Sequence, residues 1–325
     1  MLSTYFYSNE TGFKRDLTRA EMLAIVTKKQ GTLWVDLDAP NELECDLLVE
    51  IFNFHELAIE DCLNDQCHPK MDDYEDYLFI NMEALALKTN GDEKRELTSA
   101  EISIFFGANY IVTFHKQPIA SVAADRLLAE KKPQTYIGEG AGSLLHTIID
   151  HIVDSYIPIV HQYDEKVDEL ENDIFKDPSD YLATLMRVKQ DVFRMRRVFS
   201  PERDMMYTLA RTRTLIDKEH EIYFRDVYDH LTRVQVMIDG LYENLTGILQ
   251  VYFSYASTKL NEVMKRLTVM ATITMPALLV FSLYGMNFEW MPFLKHPAGF
   301  WISQLVTGFA AFGILLWMKL KKWIC

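Results

Sequence analysis

Tyr284-Gly285-Met286-Asn287-Phe288-Glu289-Trp290 is a short polar and aromatic stretch between two long apolar runs, and that setting decides how the rest of the chain is read. The run before it, 267–286, carries no charge, and neither does the run after it, 298–318. Each is about 20 residues, which as helix spans about 30 Å, the thickness of a bilayer's hydrocarbon core. The linker, 287–297, is too short to be a domain, so the two runs predict an antiparallel pair of membrane helices. Lys259, Lys265 and Arg266 precede the first run, and Lys319, Lys321 and Lys322 follow the second. The linker has one lysine and one glutamate. The positive-inside rule then puts both termini in the cytosol and the turn outside. A buried hairpin of a water-soluble protein would explain the apolar runs but not their basic flanks.

Away from the spans the chain is acidic. It has 325 residues, 49% of them apolar, and a formal charge of −14. From Lys259 onward there are seven bases and two acids, leaving 26 of the 33 bases and 45 of the 47 acids before it. A body of that sign argues against a nucleic-acid partner, since phosphate binding needs the opposite charge. It is compatible with divalent cations. The N-terminus has neither a basic start nor an apolar core, so no signal peptide is expected, and the body is read as cytosolic with reduced thiols.

The expected fold class is α+β: an N-terminal cytosolic α/β domain, a long helical stalk and two C-terminal transmembrane helices. Residues 1–142 form the α/β domain, with strand-like runs at 32–37, 77–81, 101–106 and 110–114. A helical stretch is read at 42–52 and a polar turn at 90–94. Residues 143–217 are antiparallel helices: one over 143–175, one over 180–199 capped by Ser179, and a third opened by Ser200-Pro201. Residues 218–266 are the stalk, 267–286 the first span, 287–297 the external loop, 298–318 the second span and 319–325 a basic tail. If continuous from 218 to 283, the stalk and first span make one helix about 100 Å long, which needs neighbours.

The first span carries a heptad. Asn261, Thr268, Met275 and Ser282 are seven apart, as are Met264, Ala271, Leu278 and Gly285. Together they form one stripe holding most of the small or polar residues of the span. Several copies with stripes turned inward would line a narrow, mostly apolar channel with polar rings. Packing of helices through small residues accounts for the same pattern. The stripe contains no Asp or Glu. Magnesium sheds its water reluctantly, and amide, hydroxyl and carbonyl groups can hold the hydrated ion weakly enough for it to leave.

From Asn261-Glu-Val-Met-Lys-x-Leu-Thr268, through Met275-Pro276, to Tyr284-Gly-Met-Asn-Phe-Glu-Trp-Met-Pro292, the chain closely resembles the CorA family of divalent-cation channels, whose main substrate is magnesium. Weaker similarity covers nearly the whole chain. The resemblance implies a homopentameric funnel in a bacterial inner membrane, with first spans lining the pore and second spans outside them. It assigns the outer selectivity filter to Gly285, Met286 and Asn287, and an inner polar ring to Asn261. Met264, Leu267 and Met275 become a hydrophobic gate, with Thr268, Leu278 and Ser282 also lining the pore. Leu278 and Ser282 depart from the threonine and glycine frequent in the family, and Phe293 replaces a frequent acid. Glu289 is then the one acid of the outer turn, and five copies would attract cations. The resemblance also implies intersubunit regulatory magnesium sites at Glu60, Asp61, Asp150, Asp226 and His230, with Asp61 facing Asp226. By residues alone these are ordinary surface acids, although Asp226 and His230 share a helix face. Magnesium is thus expected as substrate and regulator, with cobalt and nickel as secondary ions and no organic cofactor.

Other patterns carry less. Asp164, Glu165, Asp168, Glu169, Glu171 and Asp173 are read as a solvated face or as pairing with Arg187, Lys189, Arg194, Arg196 and Arg197 on the next helix. Cys62-x4-Cys67-His68 lacks a partner pair for zinc, and His55-Glu56 lacks the second histidine of a metalloprotease. No phosphate loop or nucleophile triad is present, so no enzyme is expected and transport would run on gradient and potential, worth about 4–5 kcal/mol per divalent ion at 100 mV. Two rival readings remain: a zinc transporter of the same superfamily, opposed by Met286 in the triplet, and a membrane-anchored sensor or scaffold.

Overall fold

The computed structural model describes residues 1–64, 68–89, 95–174, 178–212, 215–216, 218–287, 289, 295–321 and 323. Cys67, the turn at 90–94, Phe288, Trp290–Phe293 and Lys322, all used in the sequence reading, lie outside them. The chain divides into two compact units, Met1–Ile248 and Leu249–Cys325.

The first unit is built on a seven-stranded sheet. Strands β1 (Leu2–Ser8) and β2 (Gly12–Arg15) form a hairpin; α1 (Arg19–Lys28) follows, and then β3 (Thr32–Asp38). Thr18 starts α1 with a reciprocal capping box to Glu21. Short helices α2 (Glu42–Cys45), α3 (Leu47–Glu50) and α4 (Glu56–Leu63) lead to β4 (Lys70–Asp73), β5 (Tyr77–Thr89), β6 (Arg95–Gly107) and β7 (Tyr110–His115). The order is β2-β1-β3-β7-β6-β5-β4, antiparallel throughout except for the parallel pair β3–β7. Every residue of β7 is buried, and so is every residue of β3 except Asp38, because both faces of the sheet centre are covered. On one face Leu33, Val35 and Leu37 pack with Met22, Leu47, Leu48 and Phe105. Period two sends Trp34 and Asp36 to the other face. There Trp34 Nε1 donates to Thr113 Oγ1 at 3.1 Å, and Thr113 donates to Asp36 at 2.6 Å. Asp36 is fully buried, and His115 (3.2 Å) and Arg126 (3.2 Å) beside it compensate its charge.

Helices follow: α5 (Ala120–Lys131), α6 (Pro133–Tyr136), α7 (Ala141–Asp154), α8 (Tyr156–Asp173), α9 (Pro178–Leu209), α10 (Lys218–Tyr284) and α11 (Gly299–Leu320). Leu144, Leu145, Ile148, Ile149 and Ile152 of α7 recur at helical spacing and are fully buried.

Several elements depart from the sequence reading. The stretch at 42–52 is two short helices joined at Asp46, whose own backbone is helical (φ −58°, ψ −25°), so the join is a kink. The helix read over 143–175 divides at Ser155 into α7 and α8, where Pro158 has no N–H to give the Asp154 carbonyl. Ser200-Pro201 does not start a helix. Helix α9 runs through Pro201, held on both sides of it by buried Val198, Phe199, Met206 and Leu209. Strands β1, β2 and β4 were not legible in the sequence.

In the second unit, the C-terminal part of α10 and all of α11 are long and apolar enough to cross a membrane, and almost none of their residues is fully buried within the chain.

Candidate functional site

The stripe of the first span lies on one uninterrupted helix. Asn261, Met264, Leu267, Thr268, Ala271, Met275, Leu278 and Ser282 are all in α10, and all are exposed in the single chain. The half-buried positions Thr272, Ile273, Pro276 and Ala277 fall between them on another face. Pro276 leaves the Thr272 carbonyl without its helical donor. Thr268 spends its hydroxyl proton on the Met264 carbonyl at 2.8 Å, so its oxygen faces outward as an acceptor. Helix α10 stops at Tyr284, and Gly285 N–H closes the last turn on the Phe281 carbonyl at 2.9 Å. A Cβ on Gly285 would lie 3.1 Å from that same carbonyl, so the position has little room for a side chain. Met286, Asn287 and Glu289 follow, all exposed.

The second group of predicted residues sits in the first unit. Asp150 of α7 and His230 of α10 come together, and Asp154, which sequence reasoning missed, joins them. His230 Nδ1 is 4.0 Å from Asp150 Oδ1 and 3.7 Å from Asp154 Oδ1, and its Nε2 is 3.8 Å from Asp226 Oδ2. Asp150 Oδ1 and His230 Nδ1 are buried and have no hydrogen-bond partner. These separations are too long for hydrogen bonds. The two at Nδ1 suit atoms sharing one ion, since magnesium ligands at about 2.1 Å stand up to about 4.2 Å apart, whereas Asp226 lies at the other ring nitrogen. Burial pushes the Asp150 carboxyl up, and the charge of Asp154 adds to that. Burial also pushes the neighbouring His146 imidazole down. The i, i+4 spacing of Asp150 and Asp154 was the available signal for the third group.

Glu60 and Asp61 lie elsewhere, on α4. Glu60 is exposed, whereas Asp61 is held by Lys70 Nζ at 2.6 Å, which also meets Asp72 at 2.9 Å. A cation at Asp61 must therefore compete with a tethered ammonium. Of the α9 bases read as possible partners of the α8 acids, Lys189 and Arg194 meet other groups. Arg196 meets Asp239 of α10 at 2.8 Å, and Tyr163 of α8 donates to Asp191 at 2.7 Å.

An α/β domain followed by helices that end in two apolar, membrane-length segments around a Gly-Met-Asn turn defines a metal-transporting membrane protein. A family model described as CorA-like Mg2+ transporter protein matches residues 29–322, and the chain belongs to that family. The cobalt/magnesium transport protein CorA of Thermotoga maritima is 33% identical over 284 residues, covering 85% of this chain and 78% of its own. The Bacillus subtilis protein YfjQ is 31% identical over 295 residues, 89% of each chain. The complete structure of the CorA magnesium transporter from Methanocaldococcus jannaschii superposes with a TM-score of 0.83 at 21% identity, over 100% of this chain and 99% of that one.

Proposed function

We propose that this chain is a magnesium channel, also passing cobalt and nickel, that conducts the hydrated ion down its electrochemical gradient as a homopentamer. The observation that carries this reading is the stripe on α10: polar rings of Asn261, Thr268 and Ser282 alternate with Met264, Met275 and Leu278, and all of it is left exposed by its own chain. Fivefold association would cover that surface and give it a lumen. The rings offer oxygen acceptors and no carboxylate, so they would hydrogen-bond the water shell of the ion without stripping it. Gly285, Met286 and Asn287 would form the outer filter, and Met264, Leu267 and Met275 the dewetting gate. Glu289 would concentrate cations at the outer mouth. The basic flanks of the spans support a cytosolic body.

Regulation by internal magnesium fits the cluster of Asp150, Asp154 and His230, with Asp226 beside it, where two buried ligand atoms lack hydrogen-bond partners. Carboxylates that repel when empty and are bridged when loaded would bias the assembly toward a closed state. Glu60 and Asp61 would complete this across a subunit boundary, with Lys70 weakening the site at Asp61.

The test is magnesium influx into proteoliposomes under an inside-negative potential, with hexamminecobalt(III) as a fixed mimic of the hydrated ion. Influx that this complex blocks, and that Asn287→Ala abolishes in correctly assembled protein, is the expected result. Zinc entering in place of magnesium would assign the chain to zinc transport, and flux of neither ion would leave a sensor or scaffold.

A further inference from the structure

Three cations on α9 form no ion pair among the described residues. Lys189, Arg194 and Arg197 all border one cavity. Lys189 Nζ donates to Thr246 Oγ1 at 3.2 Å and lies 5.1 Å from the Tyr242 ring centre. Arg194 donates to the Leu97 carbonyl at 3.2 Å, and Arg197 has neither an ion pair nor a hydrogen bond among the described residues. In a chain of net charge −14, three neighbouring cations that form no ion pair among the described residues need a reason.

They line a cavity of about 620 Å³ together with Phe193 and Tyr242, whose ring centres are 6.4 Å apart. A second cavity of about 540 Å³ adjoins it and shares Arg197 and Glu83. Size and lining match small-molecule sites, which combine apolar and aromatic walls with a few polar groups. The cations select an anion, and the exposed ring of Phe193, packed beside the half-buried Tyr242, offers a planar group a stacking surface. Glu83, on the sheet side, offers an acceptor for hydroxyl groups and repels a second anion. We propose that this cavity binds a nucleoside polyphosphate, with its phosphates at Lys189, Arg194 and Arg197, its base against Phe193 and Tyr242, and its ribose hydroxyls toward Glu83. Nucleic acid is opposed by the charge of the surrounding body. Because nucleoside polyphosphates chelate magnesium, occupancy of this cavity would expose the protein to the nucleotide-bound share of the magnesium pool. The inference does not depend on the pore or on the acid–histidine cluster.

Calorimetric titration of the full chain in nanodiscs with ATP, at fixed free magnesium, tests it, with inorganic triphosphate and adenosine as comparison ligands. Saturable binding of one ATP per chain is expected. Arg197→Glu should weaken it by at least about tenfold, or about 1.4 kcal/mol. Phe193→Ala should weaken ATP and leave triphosphate unchanged. Both side chains are exposed, and Arg197→Gln serves if the charge reversal impairs assembly. Absence of saturable ATP binding, or binding that the Arg197 variants leave unchanged, overturns the proposal. Equal affinity for ATP and inorganic triphosphate overturns the nucleoside assignment.

Discussion

Glu202 has no accessible surface, yet it is an acid in the middle of α9. It accepts the Glu83 N–H at 2.8 Å and the Tyr156 hydroxyl at 3.2 Å. Complete burial outweighs these two donors and pushes its carboxyl up from 4.5 to about 8. Between those values the folded chain keeps a proton that the unfolded chain releases. Stability therefore falls as pH rises through that window and levels off above it. Glu202→Gln keeps the acceptor and removes the titration. Thermal melts of the variant should lose this pH slope, and its advantage over the native chain should reach on the order of a few kcal/mol near the upper end, at about 1.4 kcal/mol per unit. A native slope identical to that of the variant would mean that Glu202 is ionised in place. At Gly285 the constraint is room. A methyl group 3.1 Å from the Phe281 carbonyl presses on the last turn of α10, two residues before Asn287. Gly285→Ala is expected to cut magnesium influx by about tenfold or more, equal to about 1.4 kcal/mol at the barrier, with helix content unchanged by circular dichroism.

Helices α10 and α9 show how element-scale packing overrides local signals. Each contains a proline, Pro276 and Pro201, and each continues through it. Around Pro201 the buried side chains on either side outweigh a cost of about 3 kcal/mol. On α10 the stripe of polar and apolar residues is a property of the helix as a whole. If Leu278 extends the dewetted zone, Leu278→Asn shortens it, and influx at low internal magnesium should rise severalfold. Unchanged influx would remove Leu278 from the constriction. At this scale α7 and α10 also bring together the acid–histidine group, while α4 keeps Asp61 tied to Lys70.

For the whole molecule, the exposed stripe and the acid–histidine cluster make one linked expectation. Magnesium at the cluster should protect the assembled protein from protease, and Asp226→Lys, which supplies a tethered positive charge in place of the ion, should make that protection independent of magnesium. Protection that still titrates with magnesium in this variant would place the sensing elsewhere. Native mass spectrometry of the same samples should return five chains per particle, and any other stoichiometry would remove the fivefold pore.

The sequence by itself determined the two apolar helices, the order of strands followed by helices, the heptad stripe and the family. These are properties of length, periodicity and contiguous motif, which a one-dimensional string carries directly. Charge partners belong to a different kind of information. Asp154 joins Asp150 and His230 only because α7 packs where α10 passes. Asp61 is captured by a lysine on a neighbouring strand, and Glu202 is sealed against β5 and α8. Lys189, Arg194 and Arg197 face a cavity while the acids expected to pair with them lie on α8. Only the tertiary structure decided these, because which charges meet depends on the register and rotation of packed elements, and no local period in the chain encodes either.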